Sequence, residues 1–233
     1  MASIINTVRA TVLSIANKNN YGYITPNDFN LYAKQAQLDI FEDYFFQYNN
    51  WIVKQNARVS GSEYADIVKN ISEVIDSFSK TSFFTPISSQ FNLPDDYYLV
   101  NKIYYTDNTE VERVSQSKIL SLNASQLTAP SEMFPAYTLE GDLVTLYPSG
   151  GTKSLNVQYI RYPKDPKWTY ASLTQGEPLF DQSASDYQDF ELPLSDQENL
   201  INKILKYAGM SIREMPLVQF GQSEEQVETI QQG

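Results

Sequence analysis

Arg161, Lys164 and Lys167 fall in one short run, "YIRYPKDPKWTY" (159–170), with Tyr159, Tyr162, Trp168 and Tyr170 between them. Cations interleaved with aromatic rings are the chemistry of single-stranded nucleic-acid binding, the charges screening phosphates and the rings stacking on bases. The rest of the chain opposes that chemistry. Its 28 acidic and 17 basic residues leave a formal net charge of −11, whereas phosphate binding needs positive potential over a broad face. The run reads more simply as a strand ending at Tyr162, then a proline-stiffened exit, "PKDP". Trp168 then packs back on the sheet or into a neighbouring subunit.

Other reactive groups are few. The 233 residues include no cysteine and no histidine. Ser–His and Cys–His nucleophile systems and His/Cys zinc sites are thereby excluded, as is a disulfide framework. No "GxGxxG" or "GxxxxGK[ST]" occurs, so the usual phosphate cradles are missing. Carboxylates remain. Asp95 and Asp96 are adjacent, and neighbours in a strand face opposite ways, the wrong geometry for a glycosidase pair. Asp39, Glu42 and Asp43 share a helical segment, where a charge run is usually a solvated face. "DNTE" (107–110) lacks the twelve-residue spacing of a calcium loop. We expect no enzyme, no metal and no cofactor.

The elements that must position these residues follow from the periodicity. Ile4, Ile5, Val8, Val12 and Ile15 make one helical stripe. "TPNDF" (25–29) starts a second helix, with Thr25 as cap, Pro26 in the first turn and Asp28 at the positive end of the dipole. Phe29, Tyr32, Ala33, Ala36, Ile40 and Tyr44 carry its buried face to about residue 49. "SGSE" (60–63) reads as the capping box of a third helix reaching Phe78, and Ser195 with Glu198 as another at 195–209. Between them the period changes. "YYLVNKIYY" (97–105) and "EVERV" (110–114) flank "DNTE" as a hairpin, "SKILSLNASQL" (117–127) suits a short helix, and residues 163–190 read as a long loop. "DLVTLYP" (142–148) and "SLNVQYIRY" (154–162) read as a second hairpin around "SGGTK" (149–153). The expected fold is α+β, a helical bundle built from both chain ends (1–80 and 194–213) with a β-rich insert of hairpins (81–193), followed by an arm (214–233). The first fifteen residues make a poor secretion signal, and no segment has the roughly 20 apolar residues that span a bilayer. A soluble intracellular product is expected.

Several stretches in order carry a resemblance: "GYITPNDFNLYAKQAQLDIFEDYF" (22–45), "LPDDYYLVNKIYY" (93–105), "PAYTLEGDLVTLYP" (135–148), "VQYIRYPKDPKWTY" (157–170) and "ELPLSDQENLINKILKYAGMSIRE" (191–214). The resemblance they carry extends over nearly the whole chain. It resembles the head-to-tail adaptor, or ring, proteins of tailed double-stranded DNA phages, nearest in look to ring proteins of crAss-like phages and then to tail-tube adaptors of short-tailed phages. The resemblance implies a virion protein at the portal–tail junction, present in the host cytoplasm during assembly. It implies a twelvefold ring of identical copies beneath the portal protein, extending the channel through which genomic DNA passes and carrying tail or further ring proteins.

On that reading Arg161, Lys164, Lys167, Trp168 and Tyr170 serve subunit or tail contacts. Asp39, Asp43, Glu63, Asp66 and Glu73 are candidates to face the channel, where acidic walls let DNA slide without counterion-releasing contacts. In the resembling adaptors the C-terminal segment docks on the portal. Arg213, Met215, Leu217, Val218 and Phe220 are then the docking arm, ordered on binding. Tyrosine enrichment suits adhesive surfaces. The alternative, from a different class, is a carbohydrate- or cell-surface-binding module of a phage tail using exposed Trp51, Trp168 and tyrosines.

Overall fold

The computed structural model describes residues 4–18, 24–56, 65–150, 153–172 and 178–212. Two compact units divide the chain: residues 75–162 form one, and 1–74 with 163–233 form the other. Nine strands and five helices lie among the described residues.

The sheet unit is built from seven strands: β1 (Ser79–Phe84), β2 (Gln90–Asn92), β3 (Tyr97–Tyr105), β4 (Glu110–Arg113), β5 (Ala136–Glu140), β6 (Leu143–Tyr147) and β7 (Leu155–Arg161). Their order is β1-β7-β3-β4-β5-β6-β2. All neighbours are antiparallel except β4 and β5, which run parallel. A parallel pair needs a crossover, and here it carries helix α4 (Gln116–Asn123). The sheet curls until its two edge strands meet, Phe84 of β1 stacking on Phe91 of β2 with ring centroids 5.0 Å apart. Alternation along each strand sends Val100, Ile103, Val111, Tyr137, Val144, Leu155, Val157 and Tyr159 to one enclosed core. Each such aliphatic contributes roughly 1.5–3 kcal/mol by leaving water. On the opposite face Ile119 of α4 packs with Val114 and Ala136.

In the other unit, α5 (Gln197–Ile212) packs on both α1 (Ile4–Lys18) and α2 (Pro26–Asn56). Helix α3 spans Ala65–Ser77, and a small hairpin pairs β8 (Tyr170–Ser172) with β9 (Pro178–Phe180). Thr25 caps α2 as its sequence suggests: its hydroxyl accepts the Asp28 amide at 3.2 Å and donates to the Asp28 carboxylate at 2.6 Å. The start of α1 is served from far along the chain. The Asp189 carboxylate accepts from the amides of Ile4 (3.0 Å) and Ile5 (2.8 Å), satisfying donors that every helix start leaves open.

Two expectations are corrected here. The fold is not a helical bundle from both ends with hairpins inserted. It is a mixed α/β fold in which a seven-stranded curled sheet carries the dominant core. The second expected hairpin is also absent. Strand β6 pairs with β5 and β2, whereas β7 sits between β1 and β3. The actual tight turn is Gly141–Asp142, with Gly141 at φ +58° joining Glu140 to Leu143. The cause is common to both corrections. Strand patterns are local, but β7 finds partners far back in the chain, and closure of the curled sheet selects them. The hairpin over 107–110 does form, pairing Ile103 with Val111. Asn108 takes φ +66° there, and Asp107 Oδ1 accepts the Thr109 amide at 2.9 Å.

Candidate functional site

Pro163–Thr169 forms a strap along α2. Asn30, Lys34 and Gln37 lie four and three residues apart and so share one helix face. Asn30 Oδ1 accepts the Trp168 amide at 2.9 Å while its Nδ2 donates to the Trp168 carbonyl at 3.2 Å. Gln37 is buried; its Nε2 donates to the Lys164 carbonyl at 2.8 Å and its Oε1 accepts the Glu191 amide at 3.0 Å. Lys34 pairs with Asp165 at 2.6 Å. Pro163 and Pro166 have no N–H to offer a strand ladder, so two side-chain amides on a helix supply the ladder in its place.

Trp168 is the centre of this arrangement and is only 2% exposed. Its indole Nε1 donates to Asn6 Oδ1 at 3.0 Å, and the Arg9 guanidinium sits 3.8 Å from the ring centroid. Tyr170 and Phe180, opposite each other in the β8–β9 hairpin, stack on it at 5.6 and 5.7 Å. The ring is thus enclosed by α1 and the hairpin, and it offers no face to a base, a sugar or a neighbouring subunit. Trp51 lies in α2, and its side chain falls outside the described residues.

The three basic residues are divided between the two units. Lys167 pairs with Asp186 at 2.6 Å, and that hydrogen bond holds the Asp186 carboxyl below its usual range. Lys164 is exposed, but its amide is fixed by the Glu191 carboxylate at 2.8 Å. Arg161 belongs to the sheet unit, half-buried, donating to the Tyr162 carbonyl at 3.0 Å with its guanidinium 5.9 Å from the Phe78 ring. Tyr170 keeps a partly exposed edge.

Acidic side chains are likewise engaged within the chain. Asp39 accepts from Gln35 Nε2 at 2.9 Å and from the Tyr207 phenol of α5. Asp43 pairs with Lys203 of α5 at 3.2 Å. Tyr44 donates to Asp196, just ahead of α5. A seam of three carboxylate contacts therefore fastens α2 to the α5 region, a feature that solvated-face reasoning misses. Burial raises the Asp196 carboxyl and, reinforced by Asp196, raises the Tyr44 phenol. Glu73 stands exposed on α3. Glu63, Arg213, Met215, Leu217, Val218 and Phe220 lie outside the described residues, as does the side chain of Asp66. In the sheet unit, Asp96 ties two strands together, accepting from Tyr159 of β7 at 3.1 Å and pairing with Lys80 of β1 at 3.2 Å.

Among the described residues no three His, Cys, Asp or Glu side chains group as metal ligands, and no helix is long and apolar enough to cross a membrane. No family model and no curated protein matches the chain. The polar groups gathered here fasten elements to one another. Large hydrophobic side chains also stand in solvent, among them Leu31, Phe46, Phe83, Ile87, Leu127 and Phe134.

Proposed function

We propose that the chain is a structural connector, forming a ring between portal and tail that extends the DNA channel and bridges head to tail. One observation supports it above the others. Leu127, Met133 and Phe134 stand 98%, 75% and 75% exposed within a short, hydrogen-bonded segment, and large apolar groups held out in water mark protein-contact surfaces. The ordered resemblance to ring proteins agrees with that reading, and so does the engagement of Asp39, Asp43, Asp96 and Lys167 within the chain. The burial of Trp168 removes one of the aromatics, beside Trp51 and the tyrosines, on which a sugar-binding reading rested.

The test is assembly. Mass measurement on the purified chain, alone and mixed with a portal dodecamer, is expected to show either a closed oligomer or ring formation on the portal. A chain that neither self-associates nor binds portals contradicts the proposal.

A further inference from the structure

The seven-stranded sheet ends at β1 on one side and β2 on the other. Among the described residues, no ladder joins these two strands beyond the Ile87–Gln90 bridge of their common turn. The two edges are built differently. Strand β2 is three residues long, and brevity is one way in which proteins blunt an edge. Strand β1 is six residues long, holds no proline, and pairs with β7 from Ser79 to Phe84 without a bulge. A long, regular edge is a ready template for another strand.

The register fixes which groups that edge offers. The Arg161 amide donates to the Phe78 carbonyl at 3.0 Å, which makes Phe78 and Arg161 a hydrogen-bonded pair. Such pairs alternate along an antiparallel ladder. Lys80, Ser82 and Phe84 therefore turn their amides and carbonyls toward β7, and Ser79, Thr81 and Phe83 turn theirs away. Among the described residues these three have no backbone partner on that side. Their side chains share one face, opposite to the face on which Phe84 joins the core and Ser82 meets Tyr159. Thr81 is exposed, and Phe83 is 61% exposed.

This edge is complementary to itself. In an antiparallel pair about a two-fold axis at Thr81, Ser79 faces Phe83 of the second copy, Lys80 faces Ser82, and Thr81 faces Thr81. All three outward residues then take hydrogen-bonded positions, each exchanging both of its backbone groups. Threonine opposite threonine is a favourable cross-strand pair, and Phe83 loses exposed surface against Ser79. The one charge in β1, Lys80, meets a serine rather than its own counterpart, and it is already paired with Asp96 at 3.2 Å. No acidic residue lies between Asp76 and Asp95, so the repulsion between copies of a chain of net charge −11 is not seated in this strand.

We propose that β1 is a self-association edge, at which two copies of the chain pair their β1 strands antiparallel and join their sheets across a two-fold axis at Thr81. An isologous contact closes on itself and by itself builds no ring. The proposal therefore goes beyond the ring reading, describes the chain in the absence of the portal, and stands or falls separately.

Sedimentation of the full-length chain alone is expected to show a monomer–dimer equilibrium with a Kd of about 100 μM or tighter. Thr81→Lys and Thr81→Glu each set like charges opposite one another on the axis, so each alone should weaken the dimer about fivefold or more. An equal mixture of the two should recover it, because the opposed charges then attract. Thr81→Pro removes an amide that β7 does not use, which an edge strand tolerates, and it too should lose the dimer. Because the chain has no cysteine, Thr81→Cys gives a direct readout. Opposed hydrogen-bonded residues lie about 5.5 Å apart, within disulfide reach, so oxidation should link 81 to 81, whereas the exposed Ser121→Cys should remain unlinked. The proposal is overturned if the chain stays monomeric up to about 1 mM, or if Ser121→Cys links as readily as Thr81→Cys. It is also overturned if the Lys, Glu or Pro variant dimerises as the parent does, or if the Lys and Glu variants fail to recover the dimer when mixed.

Discussion

Thr138 sits buried in the middle of β5, and its hydroxyl has no hydrogen-bond partner. A buried, unpaired hydroxyl costs about 1–3 kcal/mol. Thr138→Val keeps the shape and removes the polar atom, so it is expected to raise stability by about 1 kcal/mol, read as a higher denaturant midpoint. A lower midpoint would mean that the hydroxyl has a partner in solution. Phenols carry the pH dependence. Burial raises Tyr44, Tyr105 and Tyr137 above the usual 10.0. Each therefore holds its proton more tightly folded than unfolded. The stability this gives is complete below pH 10.0 and lost as pH rises beyond it, where the unfolded chain ionises first. Denaturant midpoints should fall steeply between about pH 9 and 11, and Tyr44→Phe should lessen the fall. An unchanged slope in that variant would exclude a contribution from Tyr44. Asp196 acts at the other end of the scale. Its carboxyl is raised by burial, so its contribution is greatest below 3.8 and declines as pH rises.

At the scale of elements, the strap depends on Gln37 more than on its visible charges. Exposed ion pairs such as Lys34–Asp165 and Lys167–Asp186 are each worth about 0–1 kcal/mol. Gln37→Ala instead strips partners from the Lys164 carbonyl and the Glu191 amide. The expected cost is about 2–3 kcal/mol, with faster proteolysis after Lys164 and Lys167 as a second readout. A loss below about 0.5 kcal/mol would contradict this role. The comparison of sequence with structure is sharpest in these elements. Thr25 and Pro26 announced the start of α2 because a cap and a fixed φ act within one turn of chain. "DNTE" announced the β3–β4 turn for the same reason. Gln37 and Asn30 were legible only as polar residues beside an apolar stripe, since their partners lie more than a hundred residues away. The true turn at Gly141–Asp142 was present in the sequence too, but the glycines at 149–153 competed for the same strand. Nothing local ranks one turn above the other. The seam of Asp39, Asp43 and Asp196 was hidden because a carboxylate on a helix reads as solvated until its partner helix is known.

For the whole molecule the question raised by "YIRYPKDPKWTY" comes down to charge and access. Its one tryptophan is enclosed, and its three basic groups are divided between two units. Free single- or double-stranded DNA is therefore expected to bind only weakly at low salt, with a shallow salt dependence. Neutralising Arg161, Lys164 and Lys167 together should change that affinity by less than about threefold. Sub-micromolar binding with a steep salt slope, abolished by those substitutions, would restore the nucleic-acid reading.

One consequence of the Asp189 cap concerns the order of synthesis. Ile4 and Ile5 leave the ribosome before the sheet does, yet the carboxylate that closes their helix is translated 184 residues after Ile5. Trp168, which Asn6 and Arg9 of the same helix help to enclose, also comes late. The sheet unit, by contrast, draws its strands from one unbroken stretch. Vectorial synthesis therefore completes the sheet unit while α1 still waits for Trp168 and Asp189. Nascent chains stalled after about residue 190 should protect the sheet from protease before α1 is protected.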